Sequence, residues 1–84
     1  MSIEAKLLSL LDDVLNLQGR SAGFSSETHL LGAVPEMDSM GVVAVITALE
    51  ERFGVVVDDD EIDGAVFATV ASLTAFVEAK LVSG

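Results

Sequence analysis

Apolar residues return at steps of three and four in three separate stretches of the chain. Ile3, Leu7, Leu10, Val14 and Leu17 fall on one stripe of a helix, with Ala5, Ser9, Asp12 and Asn16 opposite. Ser2 is suited to cap its start and Gly19 to end it. Val42, Ile46, Leu49 and Phe53 repeat the spacing between Asp38 as the cap and Gly54 as the stop. Val70, Leu73, Val77 and Leu81 form the third stripe, opened by Thr69 and fading into the closing Ser-Gly. The pattern predicts three long amphipathic helices.

The second of these contains Val42, Val43, Val45, Ile46 and Thr47, which suit a strand on propensity alone. Alternation by two would leave both faces of such a strand largely apolar and then run into LEERF, a strong helical ending. Only the helical period gives one coherent face. Asp58 and Glu61 have capping-box-like spacing, so DDDEIDGAV predicts a short helix between the second and the last. Residues 19–37 read as a long loop pinned by Phe24, Leu30 and Leu31, with Pro35 barring an early start to the next helix. No internal repeat, low-complexity tract or interdomain linker interrupts the pattern.

A chain of 84 residues has room for one modest core and none for a separate cofactor domain, so its chemistry is simple or borrowed. No uninterrupted apolar run reaches the length of a membrane span, and MSIEAKLL lacks a basic secretory start, which leads us to expect a cytoplasmic protein. The chain has no cysteine, and therefore no disulfide framework and no side-chain thiol of its own. Fourteen acids against four bases give a formal charge of -10, which repels phosphate backbones and anionic lipid, so neither nucleic acid nor a membrane is an expected partner. Basic protein surfaces are. Asp58, Asp59, Asp60, Glu61 and Asp63 concentrate that charge as a solvated helix end or a docking patch.

One polar pair, Asp38 and Ser39, stands between two methionines in PEMDSMGVV. Taken alone, a serine after an aspartate at a helix start is ordinary capping chemistry. Its setting changes that reading. A long amphipathic helix, a long loop, Asp-Ser opening the second helix, ALEERFG at that helix's end, a short acidic third helix and a closing helix together resemble an acyl carrier protein over essentially the whole chain.

The resemblance implies an all-α, four-helix bundle with three long helices and a short third one, forming a single acyl carrier domain over residues 1–84. It implies a carrier rather than an enzyme. Ser39 would receive 4'-phosphopantetheine from coenzyme A through a phosphopantetheinyl transferase. Asp38 supplies the preceding position of the family's Asp-Ser-Leu motif, and Met40 replaces its leucine with a flexible apolar side chain of similar volume. The chemistry of a helix start agrees, because its unpaired N–H groups and the positive end of the dipole favour an attached phosphodiester. The arm's thiol would then be the sole thiol on the protein.

Other readings fit less of the chain. A triad of Ser39, Asp38 and His29 is poorly arranged, since Asp38 adjoins the serine and is better used as a cap than to orient the imidazole. DDEIDG, from Asp59 to Gly64, imitates a calcium loop but places Val70 where the bidentate glutamate belongs. A helical interaction module without a prosthetic group would share the fold and lack the modification. Within the carrier reading, the outer stripe of the second helix holds Met40, Ala44, Thr47 and Glu51 and is poorer in acids than that of typical fatty-acid carriers. DSMG looks like D-alanyl or other aminoacyl carriers, while PEMDSMGVV with ALEERFG and VDDDEIDG looks most like stand-alone carriers of exosortase and exopolysaccharide loci. That likeness implies a monomer loaded by an acyl- or aminoacyl-activating ligase and serving downstream acyl-using enzymes, in fatty-acid-like or polyketide-like biosynthesis.

Overall fold

The Ser2 hydroxyl accepts the Ala5 N–H at 3.1 Å and so opens α1, Ile3–Leu15. The computed structural model describes residues 2–83, without the side chains of Asp59 and Ser83. α1 ends before the expected glycine: Asn16 turns left-handed, with φ 55° and ψ 52°, and its N–H returns to the Asp12 carbonyl. Asparagine enters that region at lower cost than most side chains, so it closes the helix and leaves Gly19 for the next bend. α2 runs Ser39–Phe53 between Asp38 and a left-handed Gly54, and α3 runs Val70–Ser83. At the head of α3, the Thr69 hydroxyl accepts the Ser72 N–H at 3.1 Å and the Ser72 hydroxyl accepts the Thr69 N–H at 3.0 Å, a reciprocal cap.

α1 lies at the centre, packed on both α2 and α3. Leu7, Leu10 and Leu11 from α1, Val45 and Leu49 from α2, and Val70, Leu73 and Val77 from α3 are wholly removed from solvent, joined by Leu17 and Leu30 from the long connection. Phe67, also buried, closes the core below α3. The fold is all-α. Among the described residues the only β pairing is one antiparallel bridge, His29 with Thr69. Around it the Leu30 N–H donates to the Ala68 carbonyl at 2.8 Å and the Val70 N–H to the Thr28 carbonyl at 3.0 Å, fastening the long loop to the head of α3.

The apolar stripes place the helices correctly but misjudge their rotation. In α2 the buried positions are Gly41, Val45, Ala48 and Leu49, whereas Val42, Ile46 and Phe53 are only partly covered. So many of its residues are apolar that periodicity alone does not choose the centre of the face; Gly41 does, by admitting the Glu36 carbonyl close to its backbone. In α1 the buried face takes in Leu11 and Leu15, with Ile3 and Val14 at its margin. Leu31 and Leu81 are exposed, and Val34 and Met37 pin the loop in place of Leu31.

The short third helix is reduced to a single 3-10 turn, Asp59–Glu61. Half of the anticipated capping box is present, since the Asp58 N–H donates to the Glu61 carboxylate at 3.3 Å. One turn of closely spaced acids cannot offset the cost of helix nucleation. Tertiary contacts hold the segment instead: Glu61 pairs with Lys80 of α3, whose ammonium lies 5.8 Å from the centre of the Phe76 ring.

Asp12 does not simply face solvent opposite the core. Its carboxylate gathers the Gly19 N–H at 3.1 Å, the Ser21 N–H at 3.2 Å and the Ser21 hydroxyl at 2.7 Å, tying the end of α1 to the 3-10 turn Arg20–Gly23. The Ser21 hydroxyl first, then the Gly19 amide, hold its carboxyl below the usual carboxylate range. A carboxyl depressed in the fold contributes stability that is complete above its unfolded value, near about 4, and is lost as pH falls through the lower folded value. The melting-temperature gap between the wild type and Asp12→Asn is therefore expected to be widest at neutral pH and to close in acid. A gap that stays constant across a pH series would remove the clip from the list of stabilising contacts.

Candidate functional site

The approach to α2 is built from short turns. The Val34 N–H donates to the Leu30 carbonyl and the Met37 N–H to the Val34 carbonyl, both at 2.9 Å, with Val34 and Met37 inserted into the core. Between them Glu36 pairs with Arg20, whose Nε–H also donates to the Leu17 carbonyl at 3.1 Å. The Glu36 carbonyl oxygen then lies where a Cβ on Gly41 would stand, with Leu15 Cδ2 3.3 Å from that position. Glycine in a first helical turn sacrifices about 0.5–1 kcal/mol relative to alanine, so its presence marks a backbone approach that a side chain would block.

Asp38 sits in extended geometry and its Oδ1 accepts the Gly41 N–H at 2.8 Å, while its carbonyl accepts the Val42 N–H at 2.9 Å. Ser39 follows as the first residue of α2 and is exposed. At this position the backbone N–H groups of Ser39 and Met40 have no acceptor within the helix, because the residues that would supply one precede it. An exposed hydroxyl thus stands beside free donors and the positive end of a 15-residue helix dipole. That arrangement can hold an esterified phosphate. His29 is exposed, and among the described residues no hydrogen bond joins it to Asp38 or Ser39.

Met40 is 80% exposed and Val43 63%, and Ala44, Thr47 and Glu51 continue the same outward face of α2. The Thr47 hydroxyl is turned back onto the Val43 carbonyl at 3.1 Å. The stripe of Met40, Ala44, Thr47 and Glu51 therefore presents small or apolar groups and one carboxylate. Gly41, Glu36 and Arg20 were not singled out by sequence, although a glycine just inside a capped helix is a usable signal of close approach. Among the described residues no group of three His, Asp or Glu side chains is gathered as a metal site; the side chain of Asp59, in the calcium-loop stretch, lies outside what the structure describes. No described helix is long and apolar enough to cross a membrane.

Residues 5–77 match the family described as phosphopantetheine attachment site. The fold is similar to the solution NMR structure of a holo acyl carrier protein from Nitrosomonas europaea, with a TM-score of 0.86 and 52% identity over 95% of each chain. No curated protein matches the chain.

The seat of α2 predicts two stability effects. Gly41→Ala is expected to cost about 1–3 kcal/mol, because the new methyl group meets a backbone carbonyl rather than a yielding side chain. Asp38→Ala is expected to cost about 0.5–2 kcal/mol through the lost cap. Urea unfolding followed by circular dichroism measures both. A Gly41→Ala variant more stable than the wild type would mean that helix propensity outweighs the contact and that the Glu36 carbonyl can retreat.

Proposed function

Because the chain belongs to the phosphopantetheine attachment site family, we propose that Ser39 is the residue that carries its arm. The protein is a phosphopantetheine-bearing carrier with a covalently attached 4'-phosphopantetheine, and acyl carriers of this kind work with a phosphopantetheinyl transferase and with acyl-using enzymes. The observation that carries the assignment to Ser39 is its exposed hydroxyl at the first position of a capped α2. In the transfer the serine oxygen bonds to the arm's phosphorus, the bond from that phosphorus to the bridging oxygen of the coenzyme A pyrophosphate breaks, adenosine 3',5'-bisphosphate departs with that oxygen and its electron pair, and the serine proton leaves to a base on the transferase. Asp38 fixes the turn, and the first-turn N–H groups and helix dipole offset the charge of the phosphodiester. The bound arm supplies a thiol on which an acyl or aminoacyl group is held as a thioester.

The finer reading is a stand-alone acyl carrier of the kind associated with exosortase and exopolysaccharide loci, one domain over residues 1–84. It acts as a cytoplasmic monomer loaded by a dedicated acyl- or aminoacyl-activating ligase. Support comes from PEMDSMGVV, ALEERFG and VDDDEIDG, and from an α2 face poor in carboxylates. The DSMG stretch favours a D-alanyl or other aminoacyl carrier as the second reading. On either, Met40 borders the arm and Ala44, Thr47 and Glu51 extend the surface a partner meets, so recognition depends more on close fit than on long-range steering.

Incubated with coenzyme A, magnesium and a broad-specificity transferase, the protein is expected to gain the mass of one arm, and Ser39→Ala none. Modification of Ser39→Ala, or no adduct with several transferases on folded protein, would overturn the assignment.

Replacing Ala44 and Thr47 together with glutamate is expected to raise turnover by a fatty-acid synthase enzyme and to lower kcat/KM for the cognate ligase about tenfold, a loss of about 1.4 kcal/mol in productive contact. Circular dichroism should show the bundle unchanged. Equal loading of wild type and double variant by both enzymes would move recognition to the long loop or the 54–69 segment.

A further inference from the structure

Lys6 and Ser9 of α1 face Arg52 and Phe53 of α2 across an open cleft of about 280 Å³. This is the far end of α2 from Ser39, about 20 Å along a 15-residue helix. The volume falls just short of the roughly 300–1,000 Å³ of a pocket for a drug-sized ligand or cofactor, and suits a single inserted side chain.

The charge of the cleft is opposite to that of the molecule. Of the four basic side chains, Arg20 pairs with Glu36, Lys80 with Glu61 and Arg52 with Asp13, at 3.1 Å in the last case. Lys6 makes no ion pair among the described residues. The Arg52–Asp13 pair is open to solvent, with side chains 47% and 60% exposed, and engages one nitrogen of the guanidinium, whose other donors have no partner among the described residues. The lining of the cleft thus carries two cations, Lys6 and Arg52, and no carboxylate, in a chain whose net charge is -10. Beside the two cations stand the Ser9 hydroxyl, a further donor, and the half-buried Phe53 ring, an apolar wall.

We propose that this cleft is a second docking point, which takes one carboxylate side chain, flanked by an apolar residue, from a partner protein. Lys6, Arg52 and Ser9 supply donors to the carboxylate, and Phe53 covers the neighbouring apolar group. The acidic remainder of the surface draws in a basic partner at long range, and an acid on that partner is accepted only where Lys6 and Arg52 lie, which fixes its register on the bundle. Anchoring at the end of α2 remote from Ser39 leaves that serine and anything attached to it unobstructed. The cleft belongs to the chain without its arm and does not rest on the assignment of Ser39.

The experiment is a 15N–1H NMR titration of the full unmodified chain with the blocked tripeptide acetyl-Leu-Glu-Leu-amide, with acetyl-Leu-Gln-Leu-amide as the neutral control. Saturable shifts are expected at Lys6, Ser9, Arg52 and Phe53 with the glutamate peptide only, with the Ser39 amide unmoved. Lys6→Gln and Arg52→Gln, both at exposed positions, are each expected to raise its Kd roughly two- to five-fold, and added salt to do the same. Equal shifts with both peptides, no saturable shift, or affinities unchanged in both variants would overturn the proposal. Shifts at Lys6 and Arg52 that appear on concentrating the chain alone, without peptide, would assign the cleft to a second copy and overturn it equally.

Discussion

The contact between the Glu36 carbonyl and the bare Cα of Gly41 decides where α2 begins and which way it faces. A backbone oxygen cannot move aside as a side-chain terminus can, so only glycine at this position lets the incoming loop press against the first turn. With the loop seated there, Asp38 is one step from the helix and its carboxylate reaches the Gly41 N–H. Gly41 faces inward, toward Leu15 and the Glu36 carbonyl, and Ser39, two residues earlier on the helix, stands exposed. The exposure of the serine and the burial of the glycine are two sides of one rotation.

That rotation is held from the other end of the long connection as well. Asp12 gathers the amides and hydroxyl at Gly19 and Ser21, Arg20 meets Glu36, and the Leu30 and Val70 amides stitch the loop to the head of α3. None of these contacts is strong alone. Together they give a loop without regular structure fixed ends, and the core side chains Leu17, Leu30, Val34 and Met37 give it fixed points between. The start of α2, where we place the arm, is therefore anchored through both ends of the loop that precedes it.

Charge is distributed by the same logic. The bases are few, and Arg20, Arg52 and Lys80 each join two elements: turn to loop, α2 to α1, α3 to the acidic 3-10 turn. The acids left unpaired give the surface its sign, and the stripe beside Ser39 is spared most of them. A surface can thus be strongly anionic overall and still offer a nearly neutral, partly apolar contact beside Ser39.

Helix positions, their caps at Ser2, Asp38 and Thr69, the all-α class and the Asp38–Ser39 pair were legible in the chain, because period and capping chemistry are local and each is written within a few residues. So was the likeness to an acyl carrier protein. The choice of Val45 over Val42 as the centre of α2, the burial of Val34 and Met37 instead of Leu31, and the end of α1 at Asn16 were not. Nor was the collapse of the acidic segment to one 3-10 turn held by Lys80. Each depends on which neighbour arrives at a given face, and α2 is apolar over so wide an arc that its sequence fits several rotations about equally. The tertiary structure selects one, since a single backbone approach at Gly41 excludes the others by steric overlap, which no count of apolar residues registers.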